Sequence, residues 1–481
     1  MVNEPLTNCW KSLQKVSVGK EVKILDFSTF CSSPFPDKLF VRACYDELVT
    51  LIFEYHNKFL ASNRCYAPII YGTPGIGKSY FGYYLLLCLA KKKATVVYYD
   101  GRAEKAYLFS EAKVSSGHLD IYDQYLSDRN AYYIVDSAKA RVVEAKTILI
   151  TSPFKRHWKM LDKEKGIFFT MPIWSEKELL ECREMYSDVD EVIVKENFSR
   201  WGGVPRYVLL FGTHPQKQES LREAIATSSP DMLTKFTGTE FAKDDICHRL
   251  VHIIPKLGYQ QWSHDFASPF VASEVSKHLY EDLRTQLETF LVSSQGIAPL
   301  AALRGYLLES YTHRKLSAGG NFKIRNLETG GTSTLTLLPL EIVKFGKTAP
   351  TPVPGKYYLP DKSNFESVDS YVAPNLLFQM TVSNSHPVKN AGMQKILTVV
   401  ASDWEETTKG QEHPKPPAAK LYFVVPSERY INFQKQPYVA MKSVGDASNP
   451  GKEIFGVIEG KNLKRIVRSV EQYALEVEMA S

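Results

Sequence analysis

Cysteine is sparse in this chain of 481 residues and never clustered: Cys9, Cys31, Cys44, Cys65, Cys88, Cys182 and Cys247, with none beyond. No CxxC pair or Cys/His group offers zinc-ligand spacing, which excludes a zinc finger or ribbon. An odd, scattered set predicts free thiols in a reducing compartment rather than a disulfide framework. Long apolar runs are missing too. Tyr80–Ala90 is apolar but far shorter than the about 20 residues a membrane helix needs, so no membrane partner is expected. The N-terminal MVNEPLTNCWKSLQK lacks the unbroken apolar core of a secretory signal. Charge of one sign is scarce: the formal balance is +6, too mild by itself to argue for nucleic acid. The chain carries no internal repeat and no low-complexity tract. A protein working in water inside a cell is the expectation.

What is present favours a packed interior. Hydrophobic residues make up 44% of the chain and aromatics 12%, too many for a disordered chain. The length exceeds what one core usually organises, so two or three domains are expected. Residues 301–481 carry 22 Lys and Arg against 17 Asp and Glu, so the basic excess sits mostly in the C-terminal part, where a polyanion partner such as DNA is favoured.

The pattern divides the chain four ways. Residues 1–26 form an N-terminal extension. Residues 27–214 alternate strands and helices, the mark of an open α/β sheet: a loop and amphipathic helix over Phe27–Ser62, then strands at Tyr66–Tyr71, Thr95–Tyr99, Ala131–Val135 and Thr147–Ile150. A capping box at Ser175–Glu178 starts another helix. Residues 215–295 read as a helical lid or connector without a catalytic cluster. Residues 296–481 form a second α/β domain with turns at Gly319-Gly320 and Gly330-Gly331, proline-rich loops at Thr348–Gly355 and His413–Pro417, and buried strands at Leu376–Val382 and Lys420–Val425.

The sharpest motif is Gly72-Thr73-Pro74-Gly75-Ile76-Gly77-Lys78-Ser79, which fits G-x-x-x-x-G-K-[ST] between a strand and a helix. Glycines let the backbone curl so that successive N–H groups face phosphate oxygens. The helix start adds its positive dipole end. Lys78 is expected to neutralise the β and γ phosphates of ATP or GTP, and the Ser79 hydroxyl to ligate Mg²⁺. Asp136 ends the strand AYYIV, where a carboxylate would hold the metal's water shell. The glutamate that commonly follows as base is replaced by Ser137, so binding is better supported than hydrolysis; Glu144 is a substitute candidate. Thr151 and Ser152 either sense the γ-phosphate or cap a helix. Arg206, in Trp201-Gly-Gly-Val-Pro-Arg206, either reaches the γ-phosphate or lies on the surface after a turn.

A second constellation lies in SVDSYVAPNLLFQMTVSNSHPVK. Asp369 precedes a strand on which Gln379 and Thr381 share a face. His386 and Lys389 would share a helix face if a helix starts near Ser385, and Glu309 lies on the helix LAALRGYLLESY. This is the layout of a PD-(D/E)xK nuclease, in which acids hold Mg²⁺ and a lysine serves the attacking water. Gln379 stands where Asp or Glu is usual, and Thr381 where Lys is usual. Each residue alone also has a plain reading as a turn, cap or solvated surface group.

Taken in series, DFSTFCSSPFPDKLFVRACYDEL, YGTPGIGKSYFGYYLL, AYYIVDS, ITSPFKRHWK, RWGGVPRYVL, LFQMTVSNSHPVK and KLYFVVP span residues about 26 to 426. In this order they resemble the Crinkler effectors of oomycetes and fungi and the retrotransposon hot spot proteins of trypanosomes. The resemblance implies a P-loop NTPase (AAA/STAND-like) with a helical lid, coupled to a restriction-endonuclease-like domain. It implies nucleotide binding at Gly72–Ser79 and Asp136, and Mg²⁺-dependent DNA cleavage at Glu309, Asp369, Gln379 and Lys389. It further implies action in the nucleus, often a host nucleus, with host nuclear proteins and a second copy of the chain as further partners. The LFLAK-type header of Crinklers is not visible. A signalling NTPase whose C-terminal domain only binds DNA or protein is the alternative. Basic runs at Lys91–Lys93 and Lys461–Arg468 serve either nuclear import or solvated helix faces.

Overall fold

The computed structural model describes residues 3–15, 24–26, 37–60, 67–153, 155–163, 166–235, 247–256, 258–346, 350, 353–360, 367–407, 418–444, 453–458, 467 and 469–479. Most of the loop expected after Phe27, the Lys461–Arg468 run and the His413–Pro417 loop lie outside them. The chain forms two compact units: 1–283 with 294–303, and 284–293 with 304–481.

In the first unit, helix α1 (Glu4–Leu13) opens with Asn3 as N-cap, its side chain accepting from the Leu6 N–H. Leu6, Cys9, Trp10 and Leu13 are fully buried, so residues that looked uninformative in sequence build part of a core. Cys9 is disulfide-bonded, against the expectation of free thiols throughout; Cys44, Cys88, Cys182 and Cys247 are not in disulfides. Helix α2 (Ala43–Leu60) follows.

A seven-stranded sheet organises the unit. Its strands are β1 (Ala67–Tyr71), β2 (Val96–Asp100), β3 (Lys105–Phe109), β4 (Val114–Gly117), β5 (Tyr132–Asp136), β6 (Lys146–Ile150) and β7 (Gly166–Thr170), in the order β4-β3-β2-β5-β6-β1-β7. The five strands β2, β5, β6, β1 and β7 run parallel, while β3 and β4 extend the edge antiparallel. Parallel strands are covered on both faces, which is why β5 (YYIVD) is buried at every position. Ile69, Val97, Tyr133, Val135 and Leu149 pack into one core cluster. Helix α3 (Lys78–Lys91) leaves β1 through the glycine loop. Strands β1 and β5 are not neighbours: β6 lies between them, so the C-terminal ends of three strands rim one cleft.

Helices α4 (Glu176–Cys182) and α5 (Glu191–Trp201) follow the sheet. The Ser175–Glu178 capping box is present with both hydrogen bonds. The stretch read as helical holds helices at Pro215–Ala226 and Pro269–Asp282, and also an antiparallel hairpin, β8 (Val251–Pro255) with β9 (Trp262–Phe266). The β-branched run Val-His-Ile-Ile is short enough to be mistaken for a buried helical segment.

The second unit is built on a mixed eight-stranded sheet. Helix α6 spans Ala301–Ser317. Strands β10 (Gly320–Asn326), β11 (Thr332–Leu337), β12 (Glu341–Phe345), β13 (Lys356–Pro360), β14 (Ser370–Val372), β15 (Leu376–Met380), β16 (Lys420–Pro426) and β17 (Glu471–Val477) assemble as β11-β10-β17-β16-β15-β14-β13-β12. The central strands β15, β16 and β17 are parallel. Tyr357 on β13, Phe378 on β15, Tyr422 on β16 and Tyr473 on β17 stack in a row, with ring centroids 6.2, 5.5 and 5.1 Å apart. Such cross-strand aromatic pairs fix register on one face. Among the described residues no helix is long and apolar enough to cross a membrane.

Candidate functional site

The glycine loop is curled. Gly72, Gly75 and Gly77 have φ of 147°, 84° and 87°, a region other residues rarely enter. A Cβ on Gly72 would also meet the Met171 carbonyl at 2.9 Å. Gly77 is the residue before helix α3, so the free N–H groups of the first turn face the cleft. Four hydrogen bonds hold the loop. Lys78 Nζ donates to the carbonyls of Gly72 and Thr73, both at 2.8 Å. The Ile253 N–H donates to Thr73 Oγ1 at 2.9 Å. Trp174 Nε1 donates to the Ile76 carbonyl at 2.8 Å.

Trp174 is itself fixed. The buried Arg42 guanidinium lies 4.8 Å from its ring. Arg42 also donates to the Pro172 and Ile173 carbonyls and to Glu178. Trp174 N–H donates to the Gly203 carbonyl at 2.9 Å, and a Cβ on Gly203 would sit 2.0 Å from the Trp174 carbonyl. This close approach explains the Trp-Gly-Gly-Val-Pro-Arg motif: the glycine lets the chain press on Trp174, and Trp201 stacks on Tyr207 at 3.9 Å. The next turn delivers Arg206, whose Nε lies 3.2 Å from where a Gly75 Cβ would be.

Asp136 ends β5, nearly fully buried. Ser137 Oγ donates to its Oδ1 at 2.9 Å, and the Tyr98 hydroxyl to its Oδ2 at 3.4 Å. Ser137 reaches back because its φ is 61°. Thr151 and Ser152 follow β6 on the cavity wall. Thr151 Oγ1 donates to the Ser152 carbonyl at 2.9 Å and lies 3.0 Å from His157 Nδ1.

These groups line a cavity of about 310 Å³. Its charged lining among the described residues is Lys78, Arg102 and Arg206 against Asp136 alone. Burial, then the neighbouring Arg206 charge, pushes the Lys78 ammonium down to about 7, with Asp136 opposing. An anion entering here would relieve that pressure. The other side of the cavity is apolar, with Phe40, Tyr45, Trp174, Met185, Tyr186 and Leu210. Sequence reasoning missed Arg102 and this apolar wall, because neither carries a motif; only the fold brings residues 40, 102 and 174–210 to one cleft. Glu144, the substitute base, does not line the cavity and pairs with Arg129 at 2.8 Å, both half-exposed.

In the second unit Asp369 and Gln379 come together. Asp369 Oδ2 accepts from the Met380 N–H at 2.7 Å and from Gln379 Nε2 at 3.2 Å. Glu309 is linked by a relay to Ser370, the chain neighbour of Asp369. Glu309 Oε1 lies 3.9 Å from His313 Nε2, His313 Nδ1 lies 2.9 Å from the Tyr357 hydroxyl, and Ser370 Oγ donates to that hydroxyl at 2.6 Å. Burial holds the Tyr357 phenol neutral, reinforced by the nearby Asp369 and Glu309 charges. Thr381 is buried, its Oγ1 accepting from the Ser383 N–H.

His386 and Lys389 do not share a helix. Pro387 forces its neighbour into an extended conformation, Val388–Lys389 is a two-residue strand, and the helix begins at Asn390. The His386 N–H donates to Gln436 Oε1 at 2.6 Å, and burial lowers its imidazole's basicity. The Lys389 carbonyl accepts from Ser367 Oγ at 2.9 Å. Among the described residues no three His, Cys, Asp or Glu side chains converge to hold a metal. Of the residues expected to hold a metal here, Glu309 and Asp369 are carboxylates and Gln379 is an amide.

No protein-family model matches the chain. In solved structures, the ADP form of Aeropyrum pernix ORC2 aligns with 47% of this chain and 82% of its own, at 13% identity and a TM-score of 0.27. A point variant of Thermotoga maritima RuvB aligns with 60% of this chain and 91% of its own, at 12% identity and a TM-score of 0.24. Likenesses this loose add nothing to the loop's own geometry. Among sequences, the chain is similar to Crinkler effector protein 16 and Crinkler effector protein 15 of Phytophthora infestans. Each is 26% identical over 450 residues, covering 88% of this chain and 68% or 69% of the relative. The similarity runs over most of this chain, in line with the resemblance to the Crinkler effectors.

Proposed function

We propose that this chain is a nucleotide-binding effector that takes a nucleoside triphosphate, ATP or GTP, into the cleft at Gly72–Ser79. The observation that carries the reading is a lining of three cations, Lys78, Arg102 and Arg206, against one carboxylate. Lys78 spends its hydrogen bonds on two carbonyls, and among the described residues no carboxylate lies within ion-pair distance of the other two. Cations kept together without anions are costly unless an anion completes them. Loop amides and Lys78 would cradle the β and γ phosphates, and Arg206 would reach the γ end. The apolar wall would take the base. Ser79 and Asp136 are the residues that would hold Mg²⁺, which would neutralise further phosphate charge. Fluorescence titration of the full chain with a labelled ATP in Mg²⁺ tests this: Lys78→Ala should abolish binding. Equal binding by that variant would overturn the reading.

A second reading concerns the C-terminal unit, which we propose to be a Mg²⁺-dependent DNA endonuclease under nucleotide control, acting in the nucleus. It is favoured by the pairing of Asp369 with Gln379 and by the relay from Glu309. Glu309, Asp369 and Gln379 would hold the metal, and Lys389 or His386 would serve the attacking water. Its rival is a unit that binds DNA or protein without cutting. Plasmid cleavage in Mg²⁺, absent from Asp369→Ala, supports the first; DNA retention without nicking supports the rival.

A further inference from the structure

The cleft contains a cation the phosphate-loop motif does not call for. Arg102 Nη2 lies 2.5 Å from Ser79 Oγ and 3.5 Å from Ser137 Oγ, and Ser137 Oγ donates to Asp136 at 2.9 Å. The guanidinium therefore bridges the helix-start hydroxyl and the Asp136 end of β5, the pair assigned above to Mg²⁺. Its placement is built into the backbone. Gly101 N–H donates to the Asp136 carbonyl at 2.8 Å, and a Cβ on Gly101 would meet that carbonyl at 2.8 Å and Ala138 Cβ at 2.4 Å. Asp100 Oδ1 accepts from the Arg102 and Ala103 N–H groups at 2.9 and 3.3 Å. The nearest carboxylate in sequence is thus engaged with backbone amides, not with the guanidinium. Packing does not explain the side chain either, since Arg102 is exposed.

We propose that Arg102 is a resident counter-charge that stands in for the divalent metal, so that the site binds a nucleoside triphosphate in the absence of metal. The inference rests on the nucleotide reading of this cleft. A guanidinium presents several N–H donors in a plane and pairs with phosphate in a fork. Delivered beside Ser79, it meets β and γ oxygens with the charge a cation would otherwise supply. When metal enters with the nucleotide, Arg102 must yield Ser79 Oγ, and its exposed position lets it swing out.

The test is a fluorescence titration of the full chain with labelled ATP, in excess EDTA and in Mg²⁺, for wild type, Arg102→Ala, Arg102→Lys and Lys78→Ala. Wild type should bind in EDTA within about tenfold of its affinity in Mg²⁺. Arg102→Ala should lose roughly tenfold or more in EDTA and a clearly smaller factor in Mg²⁺, where the metal takes over part of its charge. Arg102→Lys, keeping the charge but not the fork, should fall between. A thermal unfolding midpoint for Arg102→Ala equal to wild type shows that the loss is not structural; if that midpoint falls, the Arg102→Lys comparison decides. Wild type that binds only in Mg²⁺, or an Arg102→Ala loss of equal size in both conditions, overturns the inference while leaving the site reading intact. Wild type that binds in neither condition overturns the site reading and the inference with it.

Discussion

The indole of Trp174 and the backbone of Ile76 are joined by one hydrogen bond, 2.8 Å from Nε1 to the carbonyl. The bond crosses from the strand-to-helix turn ahead of α4 to the middle of the glycine loop, and the ring also walls the cavity. Trp174→Phe keeps most of the ring and removes the donor. A lost buried hydrogen bond costs about 1–3 kcal/mol, here spent on loop order. Nucleotide affinity is expected to fall by between about fivefold and about 150-fold with a small drop in thermal stability. Titration with labelled ATP beside a melting curve separates the two effects.

The Lys78 ammonium gives binding a pH signature. Burial, then Arg206, lowers it to about 7 in the free protein, whereas phosphate oxygens in the complex would favour its charged form and raise it. Below pH 7 the lysine is protonated in both states and affinity is flat. Above 7 the free protein must take up a proton to bind, so affinity falls, by at most about tenfold per pH unit, until the complex's own value is reached. Calorimetry at pH 8 in buffers of different ionisation enthalpy should show net proton uptake. An affinity that rises from pH 7 to 9 would contradict the lowered value.

How much of this was legible in the sequence depended on how local the signal was. The phosphate loop could be read because its chemistry is packed into eight consecutive residues, and β1, β2, β5 and β6 could be read because strands buried on both faces are continuous apolar runs. The edge hairpin β3–β4 was missed: Lys105–Phe109 is an apolar run of only five residues with a charged start, and Val114–Gly117 is half polar and gains its structure from pairing. Arg102 was invisible because its role comes from β2 lying beside β5, and register is not written in spacing. His386 and Lys389 were placed on one helix by counting residues, and Pro387 defeats that count. Residues 1–15 looked featureless because the periodicity that buries Trp10 spans only one short helix.

Asp136 is the one carboxylate among the described residues that line the cavity, so slow turnover is expected even where nucleotide binds well. Asp136→Asn keeps the side chain's shape and removes its charge, which should weaken binding in Mg²⁺ much more than in EDTA. Glu144→Gln should leave both binding and turnover unchanged, since that side chain pairs with Arg129 away from the cavity. A malachite-green phosphate assay on the two variants decides; a large loss of turnover in Glu144→Gln would restore that residue as the base.

Three buried histidines in the first unit set its acid limit. Burial lowers His56 to about 4, His252 to about 3 and His264 to about 4 from an ordinary 6.5. In the unfolded chain each would protonate near 6.5. Above that value neither state carries the protons and stability is undiminished. Between 6.5 and about 4 the unfolded chain binds protons that the folded unit refuses, so stability falls with pH, by up to about 1.4 kcal/mol per unit for each histidine. Urea unfolding followed at pH 7.5, 6 and 5 should show the decline. His252→Gln, which cannot protonate, should flatten the slope by about a third, whatever it costs at pH 7.5.

In the second unit, Asp369 and Gln379 allow cutting and mere binding to be told apart by charge. Asp369 is held by the Met380 N–H and the Gln379 amide, and an amide ligates a hard cation less well than a carboxylate. If the unit cleaves DNA in Mg²⁺, Gln379→Glu supplies a third acid beside Glu309 and Asp369. It should then raise cleavage or lower the Mg²⁺ concentration required, and Asp369→Ala should abolish it. If the unit only binds DNA, Gln379→Glu brings one more negative charge towards a polyanion. It should then weaken retention in a filter-binding assay without producing nicks. The same substitution thus moves the two readings in opposite directions, and a single plasmid gel with a matched binding curve assigns the unit.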